Sequence, residues 1–385
     1  MTSGSSKFIC DPHTPEFQTN LFDIYRTLRD EHPVYHNAER GFFMVTRYED
    51  VLAVLLDPER FSSADVDESR QLQPMLIYMD GQPHRDLRGL VSRGFTPRRV
   101  NEMEPRIRTI ARRLLDKLAG SDRCDLMTSF AAQLPSLVIG ELIGIPEERR
   151  EAFLSYTEGM IETGPKEHSI AEPAAKIHAE FSELLALRRA SPEDDLMSAL
   201  LAAEIDGEGL SEEELLGFCF LLIVGGNDTT MNVIGNGAVR LAQQPEARES
   251  LVEDSGLIPN AVEEMLRIDA PAQALPRRPL CDVELHGERI PKGCRLLVSY
   301  GAANLDERVF EEPERFDIRR KDNRHLALGQ GPHFCMGASL ARLEARVAFE
   351  ELLARYPGYT LEEEPGWVTS RWARSHPEVV VRLQP

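Results

Sequence analysis

The stretch Leu328-Gly329-Gln330-Gly331-Pro332-His333-Phe334-Cys335-Met336-Gly337 constrains this chain more than any other. It is a glycine-rich loop that runs straight into an apolar helix. Gly329, Gly331 and Gly337 allow backbone angles and close approaches that a Cβ forbids. Pro332 fixes φ and ends any regular element before the cysteine. From Ala338 to Phe349 apolar residues recur at helical spacing. Cys335 therefore stands at a helix N-terminus, where unpaired N–H groups and the helix dipole favour an anion. That setting is expected to lower the thiol pKa and produce a thiolate, the form that ligates a soft metal or a heme iron. A lone cysteine is more often a small buried hydrophobe. Three glycines, a proline and a histidine around it are a costly surrounding for that bland role.

The chain has 385 residues, 42% hydrophobic and 28% charged, enough for a large core. Length alone allows two or three domains. A net charge of −20 without a lysine-rich tract argues against a nucleic-acid partner. The six cysteines (Cys10, Cys124, Cys219, Cys281, Cys294 and Cys335) form no CxxC pair, which suits a reducing cytosol better than disulfides or a zinc site. Met1 to Lys7 lack the apolar region of a signal peptide. The longest apolar run, Leu215 to Gly226, is shorter than the ~18 residues of a membrane span. The expectation is a cytoplasmic, soluble protein that meets no membrane.

Periodicity then yields helix after helix. Asn20–His32 and Tyr48–Leu56 read as helices flanking two strands, Val34–His36 and Gly41–Thr46. Ser62–Tyr78 reads as a long loop of the kind that serves as a lid. A helix opens near Pro83 and carries His84 and Arg88 four apart on one face, a spacing that also fits a plain solvated basic face. Pro105–Leu118, Ser129–Leu142, Pro146–Glu158 and Glu172–Arg189 read as helices, with Glu158–Ile170 a mobile connection. Past Pro271 the chain turns to strands, with hairpin signals over Glu284–Gly293.

Ser211-Glu212-Glu213-Glu214 is a capping box. The helix it opens runs to about Gln243, roughly 48 Å at 1.5 Å per residue. Its middle, Val224-Gly225-Gly226-Asn227-Asp228-Thr229-Thr230, is unlike a structural helix. Two interior glycines cost about 1 kcal/mol each, and buried acid and hydroxyl groups add to that unless partnered. A flat ligand packed on the helix accounts for the pattern. Gly225 and Gly226 would let it approach the backbone, and Thr229 can bond back to a carbonyl. In the next helix, Glu264 and Arg267 are spaced to pair, as many exposed residues are.

These blocks, in this order, resemble the motifs of the cytochrome P450 family. The cysteine loop is similar to FGxGxHxCxG followed by LARxE, through Gly329, Gly331, His333, Cys335, Gly337, Leu340, Ala341, Arg342 and Glu344. Leu328 stands where the family usually has Phe; it keeps apolar cover on the sulfur but changes solvent access and hence redox potential. Asp80, His84 and Arg88 match DxPxHxxxR, with Gln82 at the proline position and Pro83 one residue later. The Gly225–Thr229 block is similar to [AG]GxDT. Glu264 and Arg267 match ExxR, whose partner would be Arg315 in Pro313-Glu314-Arg315-Phe316. Arg277, five residues before Asp282, falls on RxAxxD with Pro279 for Ala; Ala302–Asp306 is similar to AANRD with Leu305 for Arg. The resemblance runs from about Asp80 to Arg374.

The resemblance implies one domain over residues 1–385. Its fold would be mainly α with a minor β subdomain, the family's triangular helical prism. The cofactor implied is heme b (iron-protoporphyrin IX), with Cys335 as the iron ligand that favours O–O cleavage. Gly225, Gly226, Leu328, Gly329 and Gly337 would lie against the heme. His84, Arg88, Arg277 and His333 would neutralise its propionates. Thr229 would position dioxygen and Asp228 would feed protons. Glu264, Arg267 and Arg315 would form a structural network. Leu222, Ala274, Leu275, Trp372 and Ala373 are the expected substrate lining, while Arg371, Arg374 and His376 suggest a polar or acidic group on the substrate.

The activity implied is a heme-thiolate monooxygenase acting as a monomer on a small organic molecule, with O2, in secondary metabolism. No GxGxxG opens a strand–helix unit, so electrons would come from a ferredoxin or flavodoxin with its reductase. Arg93, Arg98, Arg99, Arg342 and Arg346 would form a basic dock for that partner, or are ordinary solvated arginines. Two alternatives stay open: a peroxide-driven heme enzyme of the same fold, and a non-catalytic heme sensor or carrier. The pair Asp228-Thr229 speaks against both.

Overall fold

The main core of the molecule is built around the helix capped by Ser211. The computed structural model describes residues 8–64, 76–162, 171–205, 208–370 and 372–384, and in it this central helix spans Glu212–Gln243. The capping box closes as the pattern requires. The Glu214 amide donates to the Ser211 hydroxyl at 3.2 Å, and the Ser211 amide donates to the Glu214 carboxylate at 2.9 Å. By length and composition the helix is apolar enough to cross a membrane, yet 59% of its most apolar window is buried inside the protein. Phe218, Cys219, Ile234, Ala238 and Leu241 are buried in the main core.

Helices Glu104–Asp116, Gln133–Ile143, Ala171–Ala190, Ile258–Ile268 and Ala338–Arg355 surround it. They add Leu114, Val138, Phe181, Met265 and Phe349 to the same core. The helix expected at Ser129 begins as a π-helical turn over Met127–Ala131. The connection expected over Glu158–Ile170 starts later, because the helix Arg150–Glu162 continues through Gly159. The remainder of that connection, 163–170, and the lid positions 65–75 lie outside the described residues.

One five-stranded sheet carries the minor β part. Its order is Val34–Asn37, Phe42–Val45, Arg295–Ser299, Ala274–Pro279 and Phe61–Ser62. Phe42–Val45 pairs in parallel with Arg295–Val298, and Ala274–Pro279 is antiparallel to the same strand with Leu296 opposite Arg277. A second core of Val45, Val51, Leu296, Val298, Phe310 and Leu326 packs helix Tyr48–Leu56 against this sheet. The hairpin expected after Glu284 forms, with His286 and Gly287 both at positive φ as its turn. The sheet brings Arg277 near His333, and the helix packed on it brings the Leu55 carbonyl against Gly331.

Candidate active site

The cysteine loop is held by its own backbone. The Cys335 amide donates to the Leu328 carbonyl at 2.8 Å and the Gly329 amide to the Leu326 carbonyl at 2.9 Å. A 3-10 turn covers Gly331–His333. Gly331 has φ +70°, and a Cβ there would lie 2.6 Å from the Leu55 carbonyl oxygen, so only glycine fits. Gly337 is different. Its φ is −79° and nothing lies within 4 Å of a Cβ built on it. Its missing side chain leaves space beside the sulfur and relieves no contact within the protein.

The helix N-terminus does not by itself make Cys335 a thiolate. Burial pushes the thiol up; the Gly337 amide and the Arg88 and Arg342 guanidinium charges pull the other way and do not win. A metal cation bound at the sulfur would supply the missing charge compensation.

The four residues expected to hold carboxylates converge beside this loop. The His84 and His333 rings lie 4.2 Å apart with planes tilted 30°. Arg88 donates to the Phe334 carbonyl. Arg277 is buried, donates to the Pro276 carbonyl at 2.9 Å, and acts on His333 through its charge. Burial, Arg277 and His84 push His333 down to about 4; burial and Arg88 also push His84 down. Both rings are therefore neutral at neutral pH. His84 is 2% exposed and its Nε2 has no hydrogen-bond partner. An orphaned nitrogen in a cluster with the half-buried Arg88 and the buried Arg277 is the environment an anionic group completes. Asp80 stands at the edge of the cluster, its Oδ1 3.6 Å from His333 Nε2, and has a second task. It accepts from the Ser62 hydroxyl and from the Ser63 and Ala64 amides at 3.0 and 3.1 Å, tying the edge strand to this helix.

On the central helix the two glycines part company. Gly225 is exposed in the middle of a core helix, with only Leu221 Cδ1 at 3.8 Å from a built Cβ. Gly226 instead packs against the neighbouring helix, where a Cβ would meet Ile139 Cδ1 at 2.8 Å. Only Gly225 offers a flat group its backbone. The Thr229 hydroxyl donates to the Gly225 carbonyl at 2.8 Å, as its position suggested. Burial pushes the Asp228 carboxyl up to about 6. These features fit the expected heme: an open glycine on one helix, an open glycine beside a sulfur ligand on another, and a cationic cluster with an orphaned nitrogen.

The structural network needs one correction. Glu264 and Arg267 are fully buried and joined by two bonds of 2.8 Å. The second arginine on Glu264 is Arg320, whose Nε lies 3.2 and 3.1 Å from the two oxygens. Arg315 contributes only its carbonyl, to Arg267 and Arg320; its side chain is exposed and pairs with Glu312.

The expected substrate lining is also divided. Leu222 is half-buried on the central helix. Ala274 belongs to the main core and Leu275 packs on the second core, because neighbours on a strand point to opposite faces. The two cannot share a wall. Trp372 and Ala373 sit beside this strand, with the Gln273 amide donating to the Trp372 carbonyl at 2.7 Å and Ala373 bridging Ala272. Arg371 lies outside the described residues. Arg374 is spent on Asp269 at 2.9 Å, which Arg240 also holds, and it stacks on Trp367 at 3.5 Å. His376 stacks on the same ring and donates to the Gly366 carbonyl. Both line a separate cleft of about 270 Å³ with Phe22 and Asn236. Neither offers a free charge to a substrate at Thr229.

The expected basic dock is largely neutralised. Arg342 is bidentate on Glu263 at 2.7 and 2.8 Å, Arg346 pairs with Glu104 and Glu350, and Arg98 with Glu102. Arg99 has only Asp194 at 3.9 Å, and the side chain of Arg93 lies outside the described residues.

Comparison with known proteins agrees with this geometry. Residues 164–366 match the family model described as Cytochrome P450. The chain is 40% identical over 372 residues to the vitamin D(3) 25-hydroxylase of Pseudonocardia autotrophica, covering 94% of this chain and 92% of that one. It is 36% identical over 380 residues to the polyketide biosynthesis cytochrome P450 PksS of Bacillus subtilis, covering 93% and 94%. The solved structure of CYP109Q5 from Chondromyces apiculatus superposes with a TM-score of 0.91 at 38% identity, covering 97% and 98%.

Proposed function

The chain belongs to the cytochrome P450 family and is a heme b monooxygenase, and we propose that it oxidises an extended, apolar secondary metabolite with electrons from a ferredoxin or flavodoxin. In this reading Cys335 is the iron ligand, and His84, Arg88, Arg277 and His333 hold the heme carboxylates. Gly225, Leu328, Gly329 and Gly337 lie along its faces. When bound, the heme supplies the redox-active iron at which dioxygen is reduced.

The chain's own part is to place protons and exclude water. The Thr229 hydroxyl proton is committed to the Gly225 carbonyl, so its oxygen is left to accept a bond and orient a donor. Asp228, with its carboxyl at about 6, is able to take up and release a proton near neutral pH. The half-buried Phe220, Leu221 and Leu222, one turn before Gly225, supply apolar surface. Arg374 and His376 are engaged elsewhere, which supports an apolar substrate over an acidic one. Two relatives are named for polyketide biosynthesis and for vitamin D(3) hydroxylation, and their names point to the same kind of skeleton. Six free cysteines suit a cytoplasmic setting. The protein works there as a monomer and as a single domain.

One observation carries this reading: Cys335, held at Leu328 by its amide, has the Arg88 charge beside it, and in the same loop His333 packs on the orphaned His84. The test is the absorption spectrum of the reduced protein under carbon monoxide. The red-shifted band of a cysteinate ligand is expected, and it should vanish in C335S. A histidine-type band in the unaltered protein would overturn the assignment. Turnover driven by a reductase system should exceed turnover driven by peroxide; the opposite result would replace the partner with a peroxide-driven reaction. Polyketides and secosteroids can be screened by the spin-state shift they cause.

A further inference from the structure

Two adjacent carboxylates on the Ile258–Ile268 helix do different work. Glu264 serves the buried arginine network. Glu263 serves the cysteine loop. It accepts Nε and Nη2 of Arg342 at 2.7 and 2.8 Å and lies 3.2 Å from His325 Nε2. The Ala327 amide donates to His325 Nδ1 at 3.3 Å, so the ring proton sits on Nε2 and points at Glu263. His325 enters the loop, ten residues before Cys335; Arg342 leaves it, in the second turn of the Ala338–Arg355 helix. A single carboxylate thus fastens both ends of the loop to a third helix. The bidentate geometry of the Arg342 pair makes it a directional bond; Arg342 is 37% exposed and Glu263 27%, while the His325 side of the clamp is buried at 3%. Burial opposes the charge on Glu263, but His325 and Arg342 together hold it down at about 2, so it is ionised at any working pH. Arg342 also lies near enough to the Cys335 sulfur for its charge to act there.

We propose that Glu263 is a positioning residue for the sulfur ligand: through His325 and Arg342 it clamps both ends of the Cys335 loop and keeps the Arg342 charge at a fixed place beside the sulfur. This rests on Cys335 being the heme ligand. Glu263 touches neither iron nor substrate and acts only through the two side chains it holds. Without it the loop loses its common anchor, and the sulfur is held less firmly in place.

The test uses the heme-loaded full chain and the variant E263Q, which keeps the side-chain size but turns one acceptor into a donor. The readouts are the midpoint potential and the rate at which the reduced carbon monoxide complex loses the cysteinate band. That rate should rise on the order of tenfold or more, the scale typical for lost partners of metal ligands. The midpoint potential should move with it. R342Q should act in the same direction, and E263Q/R342Q should be no worse than either alone, because the two act as one unit. E104Q is the control. It cuts a pair to Arg346, one turn further along the same helix, and should leave the rate unchanged. A cysteinate band as persistent in E263Q as in the parent overturns the proposal. So does an equal acceleration by E104Q, which would reduce Glu263 to general support of the helix. Should E263Q fail to take up heme, R342Q decides: a parent-like rate there overturns the clamp. A parent protein without the cysteinate band would instead overturn the ligand assignment beneath it.

Discussion

Replacing Arg320 by glutamine should destabilise the protein, whereas the same change at Arg315 should not. Arg320 is 10% exposed and gives Nε to both oxygens of a Glu264 that is fully buried. Its Nη1 reaches the Glu311 carbonyl at 2.8 Å, and its Nη2 reaches the Glu312 and Arg315 carbonyls at 3.3 and 3.2 Å. Breaking a buried pair outright costs about 3–5 kcal/mol. Here Arg267 stays on Glu264 at 2.8 Å, so charge compensation is halved and not abolished. The loss is then nearer that of strong charge-assisted bonds, about 3 kcal/mol in total. An unfolding entropy of about 2.1 cal/mol/K per residue gives roughly 0.8 kcal/mol/K for a chain of this length, so Tm should fall by about 4 °C. The assay is thermal melting at matched heme content, with loss of the heme absorbance followed in parallel. Arg315 is 63% exposed and its partner Glu312 65%, so R315Q should leave both curves in place. R315Q falling as far as R320Q would refute the assignment of Arg320, as would an R320Q protein that melts like its parent.

Four further outcomes follow from the site geometry. G331A should lower stability by about 2 kcal/mol or more in denaturant melts, since the backbone at φ +70° is strained for alanine and the Leu55 carbonyl leaves no room. G337A should melt like the parent without heme but release heme faster; equal heme retention would show that Gly337 does not lie on the cofactor. For Asp228 the sign runs against the usual acid case. Its folded value of about 6 lies above the ordinary 3.8, so its stabilising share is full below pH 4 and is lost as pH rises towards 6. D228N escapes that loss and should be more stable than the parent at pH 7 by up to about 3 kcal/mol, the gap closing below pH 4. Its turnover should nonetheless drop about a hundredfold or more. T229A should keep consuming reducing equivalents while releasing them as peroxide; unchanged coupling would favour the sensor or carrier reading.

What was legible in the sequence is what local chemistry dictates. Cys335, Gly331, His84 and His333 stand at fixed offsets because a ligand loop and a cationic pocket tolerate few other residues there, and the structure brings them together. The capping box at Ser211 and the Thr229 back-bond are likewise decided within four residues. Two misreadings were avoidable from periodicity alone. Gly225 and Gly226 are about 100° apart on a helix, and Ala274 and Leu275 point to opposite faces of a strand, so neither pair could serve one ligand together.

The rest was out of reach for a physical reason. Arg315 and Arg320 are both arginines shortly after Pro313, and only the fold decides which one meets Glu264. Arg342 and Arg346 looked like free cations because their partners, Glu263 and Glu104, lie 79 and 242 residues away in the chain. Arg374 finds Asp269 across 105 residues in the same manner. The Cys335 thiol shows the limit most directly. A helix N-terminus favours the thiolate by a modest electrostatic term, and burial opposes it by a term that depends on everything packed around the sulfur. The sign of the sum cannot be read from Gly337-Ala338-Ser339. In this chain burial wins over the Gly337 amide and the Arg88 and Arg342 charges, so the packing around the sulfur matters as much as the helix end it stands on.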